Sequence, residues 1–322
     1  MMMFKAKTLA GLLLAGLIGA SAAAEEAQGD FVVTLLGTGV PDPRIDRFGG
    51  STLVQAGGLN LVFDAGRGAM QRIDQLNIVP AAIDHIFLTH FHSDHTIGLP
   101  DLWLTPWLPP QGRREEPRTI TGPVGTRQLT EGLTLAYAED HRIRIADAGL
   151  NPKGVEWDVT EFTEDGPVFE ENGVTVTAFA NFHGEHLDPS YGYRIDFDGR
   201  AVVISGDTKP NENVVEHATG VDLLVHEVAM ADPKIAERPP IKVIMGHHTD
   251  PTEAAKIFTR TRPKMAAFTH FVFLGQGPGR PDAGDVMAEA KAGYDGPMID
   301  GVDLMQFVIG DTVEVIDPRE GN

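Results

Sequence analysis

The chain of 322 residues contains no cysteine. Disulfides and thiolate metal ligands are both excluded, so stability must come from an apolar core and any metal must be held by nitrogen and oxygen. Basic residues are scarce: 26 Lys and Arg against 46 Asp and Glu give a formal net charge of −20. A protein that grips a nucleic-acid backbone needs a basic face, because phosphate contacts supply most of that affinity. The charge balance therefore argues for no nucleic-acid partner. Long apolar runs are missing too, apart from Leu9 to Ala20, which is too short to span a bilayer comfortably. That run follows Lys5 and Lys7 and precedes Ala22-Ala23-Ala24 and Glu25. It reads as a secretory signal peptide over residues 1–24, with an uncleaved membrane anchor as the competing reading. Losing its two lysines takes the charge from −20 to −22. The expectation is a periplasmic or secreted protein without stable membrane association, with residues 25–322 forming a single domain.

What the chain does have is concentrated in Thr89-His90-Phe91-His92-Ser93-Asp94-His95. This stretch follows Ile83-Asp84-His85-Ile86-Phe87-Leu88, whose apolar and β-branched residues predict a buried strand. Three imidazoles and a carboxylate within six positions would crowd one another unless something positive sits between them. Neutral imidazole and carboxylate oxygen are ligands for borderline divalent cations. A loop folding back from the strand end lets His90 and His92 face one cation while Asp94 and His95 face a second. The bland reading is a polar surface loop.

Other ligand-type residues recur at the ends of apolar runs. Ala201-Val202-Val203-Ile204-Ser205 reads as a buried strand that delivers Gly206-Asp207-Thr208, placing Asp207 to bridge two cations. Met265 to Thr269 reads as the last core strand, ending in His270, which would complete the second site. Gly173 to Phe179 alternates as a strand and delivers Asn181-Phe182-His183-Gly184-Glu185-His186, where two histidines compete for one ligand position. Trp103 and Trp107 read either as one helical face packed on the core or as the wall of a pocket. Strands alternate with helices while tight hairpins also occur, as around Gly57-Gly58. That mixture fits an α/β protein with a four-layer αβ/βα sandwich, and ligands at strand ends are where such sheets place their sites.

His-x-His-x-Asp-His after a strand resembles the signature of the metallo-β-lactamase superfamily. Leu36-Gly37-Thr38-Gly39, Ser190-Tyr191-Gly192-Tyr193-Arg194, Ser205-Gly206-Asp207-Thr208 and Phe268-Thr269-His270-Phe271 are similar to its ribonuclease Z and arylsulfatase-like branch. The resemblance implies that His186, four residues before Ser190, is the ligand of the competing pair, with His183 beside it. It implies that Asp64 supports the metal loop without binding metal. It also implies that Glu227 orients a catalytic histidine, His247 by register, with His248 as the other candidate. The full expectation is one cation on His90, His92 and His186, a second on Asp94, His95 and His270, and Asp207 between them. Zinc is the first choice, with manganese or iron compatible. Solvent ionised between the two cations would be the nucleophile, with Asp94, Glu227 and His247 as catalytic side chains.

The long basic arm with which ribonuclease Z enzymes clamp transfer RNA is not legible here. Together with export and acidity, this points to an exported hydrolase of small anionic esters, of phosphodiesterase or arylsulfatase type. The alternative is a lactonase or β-lactamase acting on a cyclic carbonyl. A homodimer is left open.

Overall fold

The computed structural model describes residues 31–320. The signal peptide expected over residues 1–24 lies outside them. Six strands follow one another first: β1 (Val32–Gly37), β2 (Ser51–Ala56), β3 (Leu59–Phe63), β4 (His85–Phe87), β5 (Arg118–Pro123) and β6 (Trp157–Phe162). Seven more form a second sheet: β7 (Gly166–Glu171), β8 (Val174–Ala180), β9 (Tyr191–Phe197), β10 (Arg200–Ile204), β11 (Leu223–Ala231), β12 (Met265–Leu274) and β13 (Met298–Asp300). The chain then returns as β14 (Gln306–Ile309) and β15 (Val313–Ile316) to the free edge of β1. The first sheet runs β15-β14-β1-β2-β3-β4-β5-β6 and the second β13-β12-β11-β10-β9-β8-β7.

The two sheets face each other across one apolar layer. Period-two alternation sends Val33, Leu35, Phe63 and Phe87 from one side, and Val176, Tyr193, Val202 and Val225 from the other, into this layer. Alternate residues of the same strands point outward and are covered by helices. Leu36, Leu53, Val62 and Ile86 pack under α1 (Ala69–Gln75) and a helix from Leu99 to Leu104. Val203, Leu224, Ala266 and Phe268 pack under helices Glu212–Ala218, Pro251–Thr261 and Ala283–Lys291. Helix, sheet, sheet and helix are the four layers expected from the alternation of elements.

Of the two readings of the tryptophan pair, the structure takes the core one. Trp103 and Trp107 are buried, and Trp103 stacks on Trp157 with centroids 4.7 Å apart. The tryptophan pair belongs to a core cluster with Leu150 and Val155. His141 is buried with its ring 5.0 Å from Trp103. Two helices, Thr126–Ala136 and Ala138–Ala148, meet at a break at Tyr137.

One contact across the apolar layer reaches the histidine loop. Phe87 stacks on Phe63 at 4.7 Å and meets Tyr193 edge-on at 5.7 Å. The Tyr193 hydroxyl donates to the Leu88 carbonyl at 2.6 Å, and the Tyr191 N–H donates to the Thr89 carbonyl at 3.1 Å. The second sheet thus holds the end of β4 just where the ligand loop departs. Phe87→Ala should cost about 3–5 kcal/mol, because it opens a cavity in that layer as well as losing apolar burial. Urea unfolding measures this; a loss under about 1 kcal/mol would mean that the layer collapses around the gap.

Candidate metal centre

The centre lies at one edge of both sheets, built from loops that leave strand ends. His90 comes three residues after β4 ends at Phe87, His183 three after β8 ends at Ala180, and Asp207 three after β10 ends at Ile204. Asp94 and His95 lie on a single helical turn, Ser93–Thr96, that follows His92. His270 arrives differently. It is not the end of its strand, as the sequence suggests, because β12 continues to Leu274. His270 is the extra residue of a bulge: Glu227 pairs with Thr269, and Val228 pairs with Phe271. Its backbone is left-handed, with φ 44°, so its side chain turns out of the ladder toward the other histidines.

Three groups of donors converge. His90, His92, His183 and Asp207 offer atoms lying within 4.8 Å of one another; so do Asp94, His95 and His270, and so do Asp207, His248 and His270. Asp207 Oδ2 stands 3.3 Å from His270 Nε2, 3.4 Å from His95 Nε2, 3.6 Å from His183 Nε2 and 3.9 Å from His90 Nε2. His270 Nε2 is also 3.1 Å from Asp94 Oδ2.

Outer partners aim these rings. His183 Nδ1–H donates to the His247 carbonyl at 2.9 Å, which turns Nε2 inward. His95 Nδ1–H donates to Asp64 Oδ2 at 2.8 Å, with the same result. Asp64 also accepts from the Thr89 N–H and hydroxyl, each at 2.8 Å, and that hydroxyl oxygen faces His90 Nδ1 at 2.9 Å. One carboxylate therefore orients two rings, the work such outer carboxylates do in metal sites. His90 Nε2, buried and without a hydrogen-bond partner among the described residues, points into the cluster as an available lone pair.

Electrostatics favour the metal-binding forms of His90, His183 and Asp207. Burial, reinforced by His95, pushes the His90 imidazole well below its usual range, and burial takes His183 to about 4 against the pull of Asp207. Burial also opposes the charge of Asp207, but His270 and His95 outweigh it and hold the carboxyl well below the usual carboxylate range. His95 goes the other way: burial opposes its charge, but Asp207 and Asp64 outweigh it and raise that imidazole well above its usual range, so a cation would have to displace its proton. A buried carboxylate among imidazoles, with no sulfur, suits divalent metal ions.

Two sequence expectations are corrected. His186 lies exposed in the loop after β8, outside every donor group, and His183 occupies the position expected for it. Three residues from a strand end reach the centre, whereas six carry the chain past it. That spacing, shared with His90 and Asp207, was the signal in the sequence that points to His183. The second correction concerns Glu227. Its Oε2 lies 3.1 Å from Nδ1 of His248, not His247. His248 is buried beside the cluster, while His247 is half-exposed and uses its carbonyl to orient His183.

With this fold and donor set, the chain belongs to the metallo-β-lactamase superfamily; the model of the beta-lactamase superfamily domain matches residues 59–271. Its relatives place it in the ribonuclease Z branch. Ribonuclease Z of Mycobacterium bovis is 36% identical over 264 residues, covering 80% of this chain and 92% of that one. Ribonuclease Z of Mycobacterium marinum is 37% identical, covering 74% and 86%. The crystal structure of the short form of human tRNase Z matches with a TM-score of 0.63 at 24% identity, over 87% of this chain and 99% of that chain, which is a likeness of fold.

These relatives overturn two expectations: a hydrolase of small anionic esters, and no nucleic-acid partner. They lend no support to the arylsulfatase assignment. Net charge averages over the whole surface and so does not exclude a nucleic-acid substrate that meets only one cluster.

Replacing His183 with Ala should remove bound metal, and replacing His186 with Ala should leave it unchanged. Elemental analysis of the purified variants after dialysis separates the two. Loss of metal from His186→Ala with retention in His183→Ala would reverse the correction.

Proposed function

We propose that the chain is a phosphodiesterase that hydrolyses RNA with two divalent metal ions, most simply zinc. The observation that carries this reading is the coincidence of a complete nitrogen-and-oxygen cluster with 36% identity to Ribonuclease Z over 80% of the chain. His90, His92 and His183 would hold one ion; Asp94, His95 and His270 the other; Asp207 lies within reach of both. Bound there, divalent ions stabilise charge on a phosphoryl oxygen and make solvent acidic enough to serve as nucleophile near neutral pH.

The remaining work falls to the chain's own side chains. His248 is held by Glu227, whose second oxygen accepts from the Thr249 N–H at 2.9 Å and so cannot swing away. Burial disfavours the charged form of His248, but the adjoining Glu227 carboxylate outweighs it and raises the imidazole above its usual range. A protonated ring fixed at one nitrogen can give its other proton to the departing oxygen of the RNA chain. Asp64 and Thr89 do not touch substrate in this scheme; they keep His90 and His95 from turning.

Zinc-loaded protein should cut an end-labelled synthetic RNA, and chelator-treated protein should not. His248→Ala should keep its metal content yet slow cleavage by about 10²–10⁴-fold, the usual contribution of a positioned acid. RNA left intact by zinc-loaded protein that opens a lactone or a β-lactam would sink the proposal.

A further inference from the structure

The bulge that aims His270 is held from a distance by one carboxylate outside the cluster. The Thr38 carbonyl accepts from the N–H of Phe271, the residue after His270, at 3.0 Å. Thr38 is in turn fixed by Asp303, whose Oδ1 accepts from the Thr38 N–H at 2.9 Å and from its hydroxyl at 2.8 Å. The other oxygen of Asp303 accepts from the Phe48 N–H at 2.7 Å and from Arg72 Nη2 at 2.9 Å. Both ends of the loop from Thr38 to Phe48 are therefore tied to a single buried side chain.

Arg47 braces the same unit. Its Nη1 donates to the Thr38 hydroxyl and to the Gly301 carbonyl, each at 2.7 Å, and its guanidinium lies 4.3 Å over the ring of Phe271. Past Phe48 the loop runs against the cluster: a Cβ on Gly50 would stand 3.4 Å from His270 Cδ2 and 3.4 Å from His95 Cε1. The His90, His92 and His183 half is oriented by other groups, Thr89 and the His247 carbonyl.

We propose that Asp303 is a positioning residue for the His95–His270 half of the centre, acting through Thr38 on the His270 bulge and through the Thr38–Phe48 loop on the Gly50 contact. This rests on reading the cluster as a site for two cations. A left-handed non-glycine residue in a strand keeps its conformation only where its surroundings over-determine it. Among the described residues, the Thr38 carbonyl is the acceptor on that turn supplied from the first sheet's loop, and Asp303 decides where it stands. Asp303 touches none of the candidate ligands, so its loss should be felt on one side of the centre only.

The test is a calorimetric zinc titration of metal-stripped full-length protein, comparing wild type, Asp303→Asn and Thr38→Val. Asparagine keeps the size of the side chain but sets a donor against donors. Wild type should take up two equivalents. In Asp303→Asn the first should bind within twofold of wild type and the second at least tenfold more weakly; Thr38→Val should show the same one-sided loss, several-fold in size. Cobalt substitution reads the same change as an altered visible spectrum of one ion. A folded Asp303→Asn that binds both equivalents normally, or loses both equally, overturns the inference. If Asp303→Asn does not fold, Thr38→Val decides alone, and normal binding of its second equivalent overturns it. A wild type that takes fewer than two equivalents instead brings down the two-cation reading, and the inference with it.

Discussion

Asp207 is the point on which the rest of the centre closes. Its carboxylate is buried, and four imidazole nitrogens from loops of both sheets stand 3.3–3.9 Å from one of its oxygens. A buried carboxylate is tolerable only beside positive charge or strong donors. The surrounding rings cannot all supply it, because burial drives His90 and His183 toward their neutral forms. His95 Nε2 also faces His270 Nε2 at 3.2 Å, and His183 Nε2 faces His92 Nδ1 at 3.2 Å. Two ring nitrogens at that distance need a proton or a cation between them. The geometry therefore balances when divalent ions are bound, and ligand deprotonation ties metal uptake to pH.

The layers outside the cluster keep these rings from relaxing away from one another. Asp64 has a left-handed backbone, φ 60°, and faces His95 directly and His90 through Thr89. The His247 carbonyl fixes His183, and Tyr193 and Tyr191 hold the two residues at which β4 gives way to the ligand loop. None of these contacts is strong in isolation; a hydrogen bond contributes about 0.5–1.5 kcal/mol net. Their effect is geometric. Each removes one rotation by which a ring could avoid its neighbours, so the loops are held in convergence.

Much of this was legible in the sequence, and the limits of legibility are physical. His90, His92, Asp94 and His95 are crowded into six positions, so any fold that keeps the loop short brings them together. Asp207 and His270 follow apolar runs whose strand character is plain. Between His183 and His186, and between His247 and His248, composition says nothing. The choice depends on how many residues separate the side chain from its strand end, and on which backbone carbonyl a neighbouring ring needs. The tryptophans show the same limit: Trp103 and Trp107 are the same letters whether they line a pocket or, as here, fill the outer core against His141 and Trp157. Asp303 carried no signal at all, because a lone aspartate in a turn matters only through the loop it meets 265 positions away.

Charge is where the sequence misled most, and distance explains why. Electrostatic influence between exposed groups fades over about 8 Å at physiological ionic strength, so most of the chain's −20 is screened from a phosphate at the cluster. Locally, Asp94, Asp207, Asp64 and Glu227 bring four formal negative charges, which two divalent ions would offset in full. On the proposed reading, an RNA substrate is then attracted by the centre itself and not by a basic face. Few counterions would be released on binding, because few lysines and arginines would meet phosphates. Such an enzyme would hold RNA by the bond it cleaves and the shape around it, which reconciles an acidic chain with ribonuclease relatives.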